Sequence, residues 1–237
     1  MFVGALFSAQ WQIKRRQAHW REVAQALGGT CIEKTWTAQV LLPIQNWTVT
    51  LDTFSSNSKS DTPNNTIYTR LRLPFIGLQD FGFILMRRNA QSQLLIGTIQ
   101  SPVGRLATAG NAKAKQHLQL LNAPEVRLGD PRFDQAFILK SEQEYLARQL
   151  FQQVKSHLGV LGEFQLFLAP YPGTTSSLGT KTMVLHYQEK GVVTDVAYIR
   201  EICQALEQMV QELQRARVAS PQKPPVPTPL PLWLARE

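Results

Sequence analysis

The stretch GDPRFDQAFILKSEQEYLARQLF, residues 129–151, constrains the fold most tightly, because a turn, a strand and a helix follow one another in it without a gap. Asp130 between Gly129 and Pro131 reads as a turn aspartate. Ala136 to Leu139 read as a short apolar strand. Ser141 and Glu144 then stand at the S-x-x-E spacing of a capping box, in which hydroxyl and carboxylate satisfy two backbone donors at a helix start. The spacing predicts a helix from Ser141 to about Leu158, with Leu146, Leu150, Val154 and Leu158 at four-residue steps along one face. The stretch specifies a piece of fold and holds no chemistry of its own.

The same periodicities organise the rest. From Gln10 to Leu27, Ile13, Trp20, Val23, Ala24 and Leu27 share a helical face, and Gly28-Gly29 ends the helix. Ala38 to Ile44, Trp47 to Phe54, Thr66 to Phe75 and Phe81 to Arg88 are dense in β-branched, aromatic and aliphatic residues and read as strands. Thr66 to Phe75 alternates most clearly. Ile67, Thr69, Leu71, Leu73 and Phe75 fall on one face, and Tyr68, Arg70 and Arg72 on the other, which reads as the solvated face of an antiparallel sheet. Leu94 to Ile99 add a further strand and Ala112 to Leu121 a short helix. Leu161 to Ala169 and Lys181 to Tyr187 read as two more strands. The last helix, Asp195 to about Arg217, has the most regular apolar stripe: Ile199, Ile202, Cys203, Leu206, Met209, Val210 and Leu213. Strands clustered before and between helices, without βαβ alternation, predict an α+β fold with an antiparallel sheet packed against amphipathic helices. The expected organisation is one α+β domain over residues 1–219, with room for two sub-halves meeting near 105–125. A Pro-rich tail follows over 220–237.

Composition bounds the function. The chain has 237 residues and is 43% hydrophobic, enough for a sizeable core. Its net charge is +8. Residues 1–110 hold eleven Lys/Arg against five Asp/Glu, so most of the excess lies there. Such a bias attracts anionic surfaces without choosing among lipid, nucleic acid and acidic protein. The two cysteines, Cys31 and Cys203, have no neighbouring ligands, which speaks against a disulfide framework or a zinc site and for a reducing, cytoplasmic setting.

The candidate binding residues are all basic, aromatic or apolar. Phe2, Val3, Leu6 and Phe7 precede Lys14, Arg15 and Arg16 in an order opposite to that of a secretory signal and too short to span a bilayer. They suit shallow burial at an anionic membrane surface, or plain packing on the domain. Tyr68, Arg70 and Arg72 would join Arg88 in one basic surface if the third and fourth predicted strands formed a hairpin around Ile76 to Asp80. Arginine would then meet phosphate and tyrosine stack on a base. In the tail, SPQKPPVPTPLPLWLARE, prolines favour an extended backbone, and Leu232, Trp233 and Leu234 make an apolar knob that docks on self or on a partner. Asp130, Asp134, Glu142 and Glu144 form the densest carboxylate cluster, and turn and helix-dipole roles account for all four. His19, His117, His157 and His186 lack local metal-ligand partners. No phosphate loop or nucleophile elbow is present, so no catalytic residue, metal or cofactor is expected.

Over residues 129–151 the chain also resembles a widespread bacterial family of unknown function. Gly129-Asp130, Phe133-Asp134, the apolar strand Ala136 to Leu139 and Ala147-Arg148 carry the resemblance. Many members of that family are membrane-associated, which implies attachment to a membrane or a membrane complex, and the family supplies no catalytic residues. The sequence therefore leads to a non-enzymatic interaction or accessory protein on the cytoplasmic side of a membrane. Its expected partner is a protein, a membrane complex or an anionic membrane surface. A nucleic-acid-binding protein using the Arg/Tyr face is the alternative, and an enzyme of unrecognised type the third.

Overall fold

The computed structural model describes residues 14–15, 17–33, 38–56, 66–90, 92, 112–175 and 181–224. Helix α1 (helical at 14–15 and 17–26) leads into strands β1 (Thr30–Glu33), β2 (Ala38–Ile44), β3 (Trp47–Ser56), β4 (Thr66–Gly77) and β5 (Ile84–Arg87). Helices α2 (Ala112–Asn122) and α3 (Pro131–Ala136), strand β6 (Phe137–Lys140), helix α4 (Glu144–Leu158), strands β7 (Phe164–Thr175) and β8 (Lys181–Lys190) and helix α5 (Val196–Arg215) follow. The strands form one antiparallel sheet in the order β1-β2-β3-β4-β8-β7-β5-β6. This is the α+β architecture that the periodicities predict.

β4 and β5 do not form the expected hairpin. β4 pairs with β3 and β8, β5 with β6 and β7, so two strands stand between them. Residues 78–83 therefore cross past β8 and β7. Six extended residues reach about 20 Å, more than the roughly 14 Å of three inter-strand steps. What reads as a turn is the start of this crossing, and apolar burial holds it. Phe81 and Phe83 are 3% and 0% exposed. The Phe83 carbonyl accepts from Leu168 N at 3.1 Å, and its ring meets Phe151 edge-on at 4.9 Å.

One face of the sheet carries the core. Val40 and Leu42, Val49 and Leu51, Leu71, Leu73 and Phe75, Leu185 and Tyr187, Leu166 and Leu168 alternate onto it. Trp20, Val23 and Ala24 of α1, Leu150, Phe151 and Val154 of α4 and Ile202, Leu206 and Met209 of α5 belong to the same cluster. The periodic stripes read from the sequence are these buried faces. A smaller cluster of Ile84, Met86, Ile138 and Leu121 lies on the opposite face, under α2.

Two local readings are corrected. Ser141 does not cap α4, which starts at Glu144 with Gln143 at its N-cap. The Ser141 hydroxyl is buried, donates to the Gly82 carbonyl at 2.7 Å and accepts from Gln143 N at 3.1 Å, tying the strand end to the crossing segment. Glu144 binds Arg148 instead, at 2.5 Å. The Gly129–Pro131 turn is in fact the cap of a helix: Asp130 accepts from Arg132 N and Phe133 N, with Pro131 in the first turn of α3. Asp134 closes the turn by accepting from Leu128 N and Gly129 N at 2.9 and 3.0 Å. Leu94 to Ile99 and the docking residues Leu232, Trp233 and Leu234 lie outside the described residues. At the start of the tail, Ser220 N donates to Ile76 O and Leu78 N to Val218 O, each at 2.8 Å, so residues 218–220 run alongside the end of β4.

The turn between α1 and β1 offers a test. Gly28 has φ +67° with open space around it, whereas a methyl on Gly29 would stand 2.4 Å from the Leu41 carbonyl oxygen. Gly28→Ala should cost about 1–2 kcal/mol of left-handed backbone strain. Gly29→Ala should cost more, about 3 kcal/mol, because a sheet carbonyl cannot swing away. Urea midpoints in the reverse order would contradict the tight approach of this turn to β2.

Candidate functional site

The face of the sheet turned away from the main core carries a row of polar side chains set by strand register. Gln39 on β2 stands opposite Asp52 on β3, Asp52 opposite Arg70 on β4, and Thr50 opposite Arg72. The Asp52 carboxylate accepts from Arg70 Nε at 3.0 Å and Nη2 at 2.9 Å, from Arg72 Nη2 at 2.6 Å and from Gln39 Nε2 at 3.3 Å. Asp52 and Arg72 are 0% exposed and Arg70 3%. Burial by itself would raise the Asp52 pKa, but the charges of Arg70 and Arg72 and the hydrogen bonds from Arg70 and Gln39 outweigh it and hold the carboxyl below the usual range. Burial lowers Arg72 to about 10, with Asp52 opposing and Arg70 adding, so it stays charged at neutral pH. A carboxylate held this low and bonded on both oxygens is a poor general base. The arrangement is an ionic cross-link between β3 and β4, extended to β2 by the Gln39 hydrogen bond.

The row continues along the sheet. Arg70 lies over the Phe54 ring at 5.0 Å, and Phe54 stacks on Tyr68 at 5.3 Å. On the other side His186 faces Arg72 in register, and its ring stacks on Phe167 at 4.6 Å. Gln188 donates to Gln165 Oε1, and Gln165 Nε2 lies 3.5 Å from His117 Nε2 on α2.

Tyr68, Arg70 and Arg72 do share a face, as their alternation predicts, but that face is not solvated around the arginines. Tyr68 is half-buried against Phe54, and both arginines are engaged with Asp52. Arg88 does not join them. Just past the end of β5, which two strands separate from β4, it binds Glu125 at 2.6 Å and the Phe137 carbonyl at 3.2 Å. Its neighbour Arg87 donates to the carbonyls of Gly159, Leu161 and Gly162 behind α4. The basic surface expected from a β4–β5 hairpin therefore does not assemble. Lys14 and Arg15 are exposed on α1, and Arg16 lies outside the described residues. Asp52 and Gln39 went unnoticed in the sequence. The available signal was cross-strand: Arg70 and Arg72 at i and i+2 need a counter-ion on the same face, and Asp52 is the acid that β2–β4 contain.

Several other titratable groups have structural partners. Asp130 pairs with Lys155 at 2.5 Å, and Glu142 accepts from Gln119 at 3.1 Å. Tyr187 and Tyr198 both donate to Glu189 Oε2, at 2.6 and 3.0 Å, and Gly162 N donates to the Tyr198 hydroxyl, binding β8 to α5 and to the segment before β7. Burial, with Glu189 and Tyr198 beside it, drives the Tyr187 pKa strongly upward. Cys203 is buried in the α5 stripe, and burial pushes its thiol up to about 12. Among the described residues no three His, Cys, Asp or Glu side chains gather as a metal site, and no helix is long and apolar enough to cross a membrane. Comparison with protein-family models, with curated proteins and with solved structures returns no match.

Removing the shared carboxylate should leave two buried guanidinium groups without it. Asp52→Ala is expected to cost about 3–5 kcal/mol, read from a urea titration. Because the folded Asp52 pKa lies below its unfolded value, the cross-link contributes above that unfolded value, about 3.9, and is lost as pH falls through the folded pKa. The cost of the mutation should therefore shrink in acid below about pH 4. Replacing Asp52, Arg70 and Arg72 together by leucine or methionine should recover most of the loss. If Asp52→Ala instead leaves the urea midpoint unchanged, the cluster is not a cross-link.

Proposed function

We propose that this chain is a non-enzymatic accessory protein that sits at an anionic membrane surface, or on a complex embedded in one, through the basic start of α1. The carrying observation is the mounting of that charge. Lys14 and Arg15 are exposed, while Trp20, Val23 and Ala24 of the same helix are buried in the main core. At about 100° per residue, both cations fall on the half of the helix away from those three side chains. The fold thus presents them at a fixed place. Phe2, Val3, Leu6 and Phe7 precede them in sequence and supply apolar groups for shallow burial beside the headgroups. Dispersal of Arg70, Arg72 and Arg88 weighs against the nucleic-acid alternative, since it takes from that reading its recognition surface.

Each cation near an anionic surface contributes about 1 kcal/mol, so attraction and apolar burial are both needed. The protein should cosediment weakly with vesicles containing phosphatidylserine at about 0.1 M salt. At about 1 M, where the Debye length has shrunk to about 3 Å, it should be released. Reversing Lys14, Arg15 and Arg16 to glutamate should abolish sedimentation and leave the unfolding free energy within about 0.5 kcal/mol of wild type. Equal sedimentation of wild type and the triple variant would refute the mechanism. Salt-sensitive binding to plain DNA or RNA with no vesicle binding would move the reading to nucleic acid.

A further inference from the structure

Among the described side chains, helix α2 is held to the sheet through its C-terminal half, and the polar side chains in that contact are of two kinds. Leu120 and Leu121 pack with Ile84, Met86, Ile138 and Phe167. At the C-terminal end of the helix, Lys140 reaches up from β6 and donates to the carbonyls of Leu121 at 2.6 Å and Ala123 at 3.1 Å, a charged cap that no histidine chemistry alters. One turn earlier stands His117. Its ring meets Phe167 edge-on, 5.1 Å between centroids at 81°, and its Nε2 faces the Gln165 side-chain amide.

The amides give that contact a direction. Gln165 accepts from Gln188 through Oε1, which turns its NH2 group towards His117. The imidazole Nε2 is then the acceptor, and the ring proton sits on Nδ1. A second proton would point an N–H at an N–H. Turning Gln165 round would relieve this, but it reverses the bond to Gln188 and requires that side chain to turn as well.

We propose that protonation of His117 undocks α2 from the sheet and uncovers the apolar surface of Ile84, Met86, Ile138 and Phe167, making this corner of the fold acid-responsive. Among the described residues, the elements packed against His117 offer the cation no counter-charge. β7 presents Gln165 and Phe167, β5 presents Ile84 and Met86, and β6 presents Ile138 and, further along the helix, Lys140. β8 presents Gln188 and, beyond Phe167, His186, a second titratable ring that would add repulsion if it too were protonated. Burial disfavours the charged ring and lowers the His117 pKa. The sign follows: the undocked histidine binds a proton more readily than the docked one, so docking is at full strength above the undocked value, about 6.5, and weakens as pH falls below it. An isolated helix of eleven residues is marginal in water, so undocking also unfolds it.

The test is amide hydrogen exchange of the full chain, corrected for intrinsic rates, between about pH 7.5 and pH 5.5. Protection of amides 112–122 should fall in acid by up to about tenfold, the ceiling set by an ordinary histidine at one unit below its pKa. Amides of α5 should keep their protection. In His117→Gln, whose side-chain oxygen can accept from Gln165 and takes no proton, protection of α2 should not change with pH. In His186→Gln the fall should persist. An equal fall in His117→Gln, a fall abolished by His186→Gln, or no fall in wild type would overturn the proposal. If His117→Gln leaves α2 undocked at pH 7.5, the ring nitrogen resonances of wild-type His117 decide instead: titration below the ordinary value supports the proposal, and titration at or above it overturns it.

Discussion

The pairing of β4 with β8 is the constraint on which the rest of the molecule depends. It runs from Tyr68 opposite Lys190 to Gly77 opposite Lys181 and joins strands more than a hundred residues apart in sequence. On one side β3, β2 and β1 build outward from it, and on the other β7, β5 and β6. β4 is buried on both faces from Thr69 to Phe75. Leu71, Leu73 and Phe75 meet the core with Leu185 and Tyr187 beside them, and Arg70 and Arg72 point the other way. A slip of one residue would put two guanidinium groups into the aliphatic core and three large apolar side chains onto the polar row. That cost makes the register close to unique.

The Asp52 cluster contributes in the same sense. Two buried cations sharing one carboxylate add little net stability over apolar residues of the same size, because desolvation offsets the attraction. They penalise wrong pairings instead. Arg70 must stand opposite Asp52 for its fork to close on both oxygens, and only the observed β3–β4 alignment does this while placing Arg72 within 2.6 Å of the same group. In the β1–β4 meander, whose strands lengthen from 4 to 12 residues, a polar specification of register complements the apolar one. It also explains why a strand that reads as amphipathic is buried on both sides.

What could be read in the sequence was local. The helix stripes of α1, α4 and α5 follow from three- and four-residue spacing, and the strand alternation of β4 put Tyr68, Arg70 and Arg72 on one face correctly. What failed was non-local. Solvent exposure of that face was inferred from charge, but charge tells of a partner as readily as of water when the counter-ion lies eighteen residues upstream on a neighbouring strand. The β4–β5 hairpin was inferred from sequence adjacency, and adjacency does not specify pairing when a six-residue segment can bridge two intervening strands. The capping box failed for a third reason. Ser141 has two uses, and a tertiary bond to the Gly82 carbonyl outcompetes the local one. β1 was missed because four residues hardly display a period.

The distribution of cations completes the account of how charge and fold are related. Arg87 and Lys140 sit on paired strands, β5 and β6, and point to opposite faces of the sheet. Each ends at the carbonyls behind a helix, Arg87 behind α4 and Lys140 behind α2, where a positive charge answers the negative end of the helix dipole. With Arg70 and Arg72 buried and Arg88 on Glu125, most of the basic residues that the first part of the chain places on described strands are engaged in holding elements together. Pairing of this kind removes these side chains as recognition groups, but it does not cancel the net charge of the molecule, since Asp52 offsets only one of the two guanidinium groups it binds. The net charge that attracts anionic surfaces at long range therefore survives, while Lys14 and Arg15 at the start of α1 remain exposed at the surface. Steering is thus separated from the strand cations in this fold: the net charge of the whole chain supplies the field, whereas the arginines of the central strands hold elements together.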